Sequence, residues 1–167
     1  TILGGLAGDA LTQGSNSVAI GTQALSAEDD HSFNVAVGAR ALQLLNAGAH
    51  GYNTAVGYVA GTAMTTGVEN TIIGAEAGDA ITTGSYNTAL GRSALGASIL
   101  PSFNTAIGNA SLAANVHGHK NTAVGSGSLS NMVPSGSADT LNTAVGFNAG
   151  TAVTSGVQNT IIGATAG

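Results

Sequence analysis

Asn53-Thr54-Ala55-Val56-Gly57 is the phrase from which this chain is built, because most of the remaining sequence repeats it. With the closing glycine as marker, copies end at Gly4, Gly21, Gly38, Gly57, Gly74, Gly91, Gly108, Gly125, Gly146 and Gly163. Seven of the nine intervals are 17 residues, and the other two are 19 and 21. A fixed short period is the signature of a solenoid, in which each unit packs only on its neighbours. The two longer intervals fit loop insertions near residues 46–51 and 130–141, since the phrase itself stays in register.

Each slot of the phrase has its own chemistry. Four residues before the glycine stand Asn34, Asn53, Asn70, Asn87, Asn104, Asn121, Asn142 and Asn159, with Ser17 in the remaining full copy. Stacked coils turn such a slot into a ladder of side-chain amides, each bonded to the coil above and below. Catalysis has no use for that repetition; stacking does. Thr or Val comes next, then a small residue (Ile2, Ile72 and Ile161 excepted), then Val, Ile or Leu. Side chains alternate faces along a strand, so Thr54 and Val56 point one way while Asn53 and Ala55 point the other. The β-branched face is expected to be the packed one, with Val56 and its equivalents forming an apolar column worth roughly 1.5–3 kcal/mol per buried residue. Asn53, Thr54, Val56 and Gly57, with their equivalents, are the residues expected to carry the structure.

A second motif follows each glycine. Three residues on stands Ala or Ser, as in Ala24, Ala60 and Ser111; the next slot is Leu (Leu25, Leu42, Leu95, Leu112, Leu129) or Gly (Gly8, Gly61, Gly78, Gly150, Gly167). Seven after the marker another apolar residue often appears, such as Leu45, Met64 or Ile81. This pattern is expected to form a second short strand or extended segment that closes the coil. Thr65-Thr66-Gly67 and Thr82-Thr83-Gly84 would then turn the chain, with the glycine at positive φ. A helical reading of the Ala-Leu pieces fails, because about a dozen residues interrupted by Gly and Thr are too few and too broken for a stable helix.

Composition narrows the function classes. The chain has 167 residues, 43% of them hydrophobic but only 7% charged and 4% aromatic. An ordinary domain carries roughly 25% charged residues. So neutral a surface predicts that much of it is an interface, and the small Ala/Asn/Gly face suits close approach of another copy. The net charge is −5 and the basic residues are Arg40, Arg92 and Lys120, so nucleic-acid binding, which needs a basic stripe, is not expected. No apolar run reaches the roughly 18–20 residues of a membrane span, and no membrane insertion is expected. Cysteine is absent, which excludes only disulfide stabilisation.

The repeat runs unbroken, so residues 1–167 are expected to form one repeat domain. Both ends fall inside a repeat without a cap, the expectation being a fragment of a longer fibre. Residues 53–74 also recur at 142–163 with five differences in 22 positions, a duplication of whole coils of the kind that lengthens a rod.

Asn16-Ser17-Val18-Ala19-Ile20-Gly21-Thr22-Gln23-Ala24 resembles the head repeat of trimeric autotransporter adhesins of the YadA type. The NTAVGxxAL and NTxIGxxAG variants that dominate here are similar to repeats of phage tail fibres and related virion fibres. The resemblance covers essentially the whole chain. It implies a left-handed parallel β-roll with three chains about one axis, and an extracellular place on a virion or cell surface. The 17-residue period is longer than usual for the adhesin heads, and their neck and stalk coiled coil is not present, nor is the chaperone domain that often ends phage fibres.

Candidate chemistry is sparse. His31, His50, His117 and His119 all precede the Asn slot of their repeats. His117-Gly118-His119 resembles the His-x-His sites by which some trimeric phage fibres bind an axial transition metal; six imidazoles from three chains would suit octahedral iron or nickel. The plain alternative is polar loop residues on a solvated edge. Glu28-Asp29-Asp30, which takes the place of a turn glycine, offers oxygen ligands for calcium or, more simply, a solvated loop. Asn109-Ala110-Ser111 is a formal glycosylation sequon inside the repeat and carries no weight. No nucleophile, paired carboxylates or phosphate-binding loop stands out, so no enzymatic activity and no cofactor are expected.

The sequence therefore predicts an all-β protein: a parallel β-solenoid, or β-roll, of about ten coils in a homotrimeric fibre. At about 4.8 Å per coil it would rise roughly 45–50 Å. The expected function is structural and adhesive, a virion or tail-fibre segment that attaches to a host-surface receptor or glycan through its inserted loops. A bacterial trimeric adhesin head is the near alternative. An ice- or surface-binding solenoid is the alternative of another class; it would use a Thr array, which here alternates with Val on the face expected to be packed. A polysaccharide-cleaving tailspike would normally need paired carboxylates and stacking aromatics, and three Tyr, three Phe and no Trp equip the chain poorly for it.

Overall fold

The computed structural model describes residues 1–30 and 32–167, and among them there is no helix. The strands are β1 (Ile2–Leu3), β2 (Val18–Ile20), β3 (Val35–Val37), β4 (Thr54–Val56), β5 (Thr71–Ile73), β6 (Thr88–Leu90), β7 (Thr105–Ile107), β8 (Gly118–His119), β9 (Thr122–Val124), β10 (Ala138–Asp139), β11 (Thr143–Val145) and β12 (Thr160–Ile162). Ten of them form one sheet in the order β1-β2-β3-β4-β5-β6-β7-β9-β11-β12, and β8 and β10 form a separate pair. Every pairing is parallel, and like slots pair with like: Thr71 with Thr88, Ile72 with Ala89, Ile73 with Leu90. The chain is a parallel β-solenoid of about nine turns, with strands of only two or three residues, those of three set by the Thr-Ala-Val core of the phrase.

The packed face is the opposite of the one expected. Ala19, Ala36, Ala55, Ile72, Ala89, Ala106, Ala123 and Ala144 are fully buried, whereas the slot before the glycine is open: Leu90 is 43% exposed and Val145 37%. Thr54 and Val56 flank buried Ala55 and are only half covered. The reason is the asparagine. Its amide needs partners on both sides along the stack, and only the inner face supplies them, so Asn and the alternating Ala turn inward together. The core is then completed by residues after the glycine, including Leu25, Leu42, Leu95, Leu112 and Leu129 four residues on, and Leu45, Met64, Ile81 and Met132 seven on. The Ala/Asn side expected to meet another copy is the interior of this chain.

Among the described residues no strand forms in the seven positions after the marker glycine. Ala24 N–H donates to the Gly21 carbonyl (3.1 Å) and Leu45 N–H to the Leu42 carbonyl (3.2 Å), so the segment is two successive tight turns. Turns replace a strand because two slots adopt the left-handed region in every coil: Gln23, Arg40 and Val59 two after the glycine, and Leu25, Leu42 and Leu95 four after it, have φ between 52° and 61°, or 50° for Leu42. Each coil still bonds to the next, as Leu25 N–H does to the Ala41 carbonyl. Gly67 and Gly84 are not the positive-φ positions of their coils. Gly67 is required for space, since a Cβ there would stand 3.2 Å from Asn70 Nδ2 and closer still to the Gly84 carbonyl. The marker glycine needs both freedoms: Gly57 has φ +146° and an added Cβ would lie 2.6 Å from the carbonyl carbon of Gly74.

The Leu-or-Gly alternation is a volume exchange. Where the inner strand slot is Ile rather than Ala, the neighbouring turn slots are Gly. A Cβ on Gly61 or Gly78 would meet Ile72 Cδ1 at 3.3 or 3.1 Å, and one on Gly150 would meet Ile161 Cδ1 at 3.1 Å. The space that Leu fills elsewhere is taken by the isoleucine, which keeps the narrow core at constant packing density.

Candidate functional surfaces

The asparagine column is continuous. Asn53 Oδ1 accepts from Asn70 N–H (3.0 Å) and from Asn70 Nδ2 (3.1 Å), while Asn70 Nδ2 also donates to the Gly84 carbonyl (3.0 Å). The same bonds link Asn34 to Asn53, Asn87 to Asn104, Asn104 to Asn121, and Asn142 to Asn159. At the second insertion Asn121 Oδ1 accepts from Asn142 N–H and from Thr140 Oγ1, so a threonine replaces one amide donor. From Asn34 to Asn142 these amides are buried and hydrogen-bonded; they hold coils in register and offer nothing to a ligand.

The opposite face of the strands looks outward. Thr54, Thr71, Thr88, Thr105, Thr122, Thr143 and Thr160 form one file on consecutive coils. Val37, Val56, Ile73, Leu90, Ile107, Val124, Val145 and Ile162 form a second, parallel file. Two residues of strand separate the files by about 7 Å, and no charged residue stands on either.

Among the described residues the histidines belong to no cluster of three possible metal ligands. His119 Nδ1 accepts from Ser102 N–H (3.0 Å), which puts its proton on Nε2, where it donates to Ser137 Oγ (2.7 Å). Both ring nitrogens are thus engaged within the single chain. His117 Nδ1 is buried without a partner, and His50 packs edge-on to Phe33. His31 lies outside the described residues. Glu28, Asp29 and Asp30 also diverge: Glu28 is fully buried and accepts from Asn34 Nδ2, whereas Asp30 accepts from Thr12 Oγ1 at the surface. Among the described residues no three His, Asp or Glu side chains converge as metal ligands.

The insertions leave the strand register on either side intact, with Val35 opposite Thr54 and Thr143 opposite Thr122. The second of them carries β10, which pairs with β8, and frames an open depression of about 270 Å³ between Pro134, Ser137, Thr140 and Val157.

The feature that sequence reasoning missed is a column of rings. Phe33, Tyr52, Tyr86 and Phe103 all occupy the slot just before the asparagine, and they are 38%, 54%, 46% and 54% exposed. Phe33 and Tyr52 stack with ring centroids 5.0 Å apart and planes within 6°; Tyr86 and Phe103 do so at 4.8 Å. Each of these residues is left-handed, with φ between 48° and 67°. That kink directs the following asparagine inward and leaves its own side chain at an outer corner. The signal was present as four aromatics in one slot of the repeat; counted only as a total, they looked too few to matter.

No family model, curated protein or solved structure matches this chain. The same column holds two charges, Glu69 between the two ring pairs and Lys120 beyond Phe103. Lys120 is bonded to Asp139 at 2.6 Å. Arg92 bonds Glu76 at 3.2 Å, and burial, reinforced by Glu76, raises the Asp79 carboxyl above the usual carboxylate range against the pull of backbone N–H groups. No helix among the described residues is long and apolar enough to cross a membrane.

Proposed function

We propose that this chain is a structural segment of a homotrimeric fibre, its copies packed side by side through the outward Thr/Val/Ile face, which projects from a virion or cell and attaches to a receptor or glycan on a host surface. The observation that supports it is the apolar file itself. A stripe roughly 35 Å long, edged by threonine and free of charge, is a large apolar patch for an isolated chain to leave in water. Its residues vary among Val, Ile and Leu, as a packed seam tolerates, and parallel copies would bring like slots to the same height. The inserted loops lie outside the ten-stranded sheet, whose register they leave intact, and are the natural place for receptor contact. The segment has no reaction to catalyse in this reading and no resident cofactor. A bacterial adhesin head is the same architecture on a different owner.

The outward threonine file favours a second reading, an ice- or surface-binding solenoid. The objection that this face is packed does not hold for the single chain. What weighs against it is the mixed second file, since a lattice match asks for identical side chains.

Light scattering of the isolated segment separates the two. The fibre reading expects a mass of three chains that persists on dilution. A monodisperse monomer with thermal hysteresis would overturn it in favour of the surface binder.

A further inference from the structure

Glu69 sits in the aromatic column with Tyr52 on the coil before it and Tyr86 on the coil after it. The register is fixed by backbone bonds, Glu69 N–H to the Gly51 carbonyl (2.8 Å) and Tyr86 N–H to the Val68 carbonyl (3.1 Å). All three side chains are exposed, and all three residues are left-handed, at φ 48°, 57° and 60°. Unlike Lys120 in the same column, Glu69 takes part in no ion pair or side-chain hydrogen bond among the described residues. A carboxylate is shorter than a tyrosine, so this register points to a notch with the two phenol rings for walls and a negative floor.

We propose that this notch binds a trimethylammonium group. The width decides between cations. At about 4.8 Å per coil, the slots of Tyr52 and Tyr86, two coils apart, are spaced about 10 Å along the column. A methyl carbon rests about 3.6 Å from a ring face, which leaves a little under 3 Å between carbons that touch opposite walls. Two methyls on one tetrahedral nitrogen are about 2.4 Å apart, given N–C bonds of about 1.5 Å. The nitrogen then lies about 5 Å from each ring, inside the roughly 6 Å reach of a cation–π contact, with the carboxylate beneath it. A planar guanidinium is about 3.5 Å thick and would touch one wall only. A primary ammonium would be drawn to the carboxylate but would leave both walls unfilled. The inference is independent of what covers the Thr/Val face.

The test is a titration of the whole chain with tetramethylammonium chloride at constant ionic strength, followed by NMR shifts of the tyrosine ring protons, with sodium, guanidinium and butylammonium chlorides as comparators. The expected result is saturation in the millimolar range by tetramethylammonium, at least about fivefold tighter than by the comparators. Glu69→Gln should weaken binding about tenfold and Tyr86→Leu should abolish it, while Lys120→Gln, in the same column, should leave it unchanged; circular dichroism confirms that each variant keeps its fold. Shifts that do not saturate, guanidinium binding equally well, or a Glu69→Gln variant with wild-type affinity would each overturn the proposal. Where tetramethylammonium binds, phosphatidylcholine vesicles identify the source: sedimentation with vesicles assigns the site to a lipid headgroup, and its failure assigns it to a free quaternary ammonium compound.

Discussion

Asn87 stands in the middle of the amide ladder, and its contacts show why the slot tolerates so little change. Its Oδ1 accepts from Asn104 N–H at 3.1 Å, and its Nδ2 donates to Asn70 Oδ1 at 3.0 Å and to the Pro101 carbonyl at 2.8 Å. Asn87→Ala would strand the Asn104 N–H and the Pro101 carbonyl, each at about 1–3 kcal/mol, while Asn70 Oδ1 keeps the backbone N–H of residue 87 (2.9 Å). A loss of several kcal/mol in urea unfolding is expected; a change below about 1 kcal/mol would mean that water replaces the amide. Asp79 offers a milder case of the opposite sign. Its carboxyl is raised by burial, so the folded chain holds that proton more tightly than the unfolded one, and ionisation of Asp79 disfavours folding. Asp79→Asn should therefore stabilise at neutral pH, and its advantage should fade as pH falls through the raised value towards the ordinary carboxylate range. Melting curves of both proteins between pH 3 and 7 would check this, and a gain that grows on acidification would contradict it.

At the scale of the coil, Ile72 and its flanking glycines show how neighbouring turns share volume. Leucine is allowed at the turn slot, as Leu25 and Leu95 hold the same left-handed backbone there. Gly78 is small because Ile72 occupies its space. Gly78→Leu alone should overpack the core, at about 1–3 kcal/mol, and Ile72→Ala alone should open a cavity at about 2–5 kcal/mol. The double variant recreates the Ala/Leu arrangement of other coils and should recover at least about 1 kcal/mol of their summed cost. Additive losses in a double-mutant cycle would show that the exchange is incidental.

For the molecule as a whole, the exposed face decides the behaviour. Lysine placed outward at Val56 and Ile107 touches no core residue, since both slots are half covered in the single chain. The fibre reading expects this double variant to fall from three chains to one in light scattering while its β-sheet circular dichroism persists. If the parent is already a monomer, the variant should instead be tested for loss of thermal hysteresis. Retention of a three-chain mass would place the interface elsewhere.

The 17-residue period by itself determined that this chain stacks in parallel coils, because only a repeated unit that pairs with its own image explains eight asparagines and ten glycines at fixed slots. It also located the insertions, which the stack tolerates because they leave the ten-stranded sheet in register. Periodicity of two separates Asn and Ala from Thr and Val but does not say which pair is inside. Tertiary structure decided that: the amide column can be saturated only in the interior, and Leu, Met and Ile side chains arriving from the turns fill the space beside it, so the more hydrophobic strand face is left outward. The turns themselves were unreadable, since Leu25, Val59 and Tyr52 are poor formers of left-handed backbone and adopt it only because the stacked coils hold them there. For the same reason the ring column and its Glu69 notch came into view only when residues 17 positions apart were laid one above another.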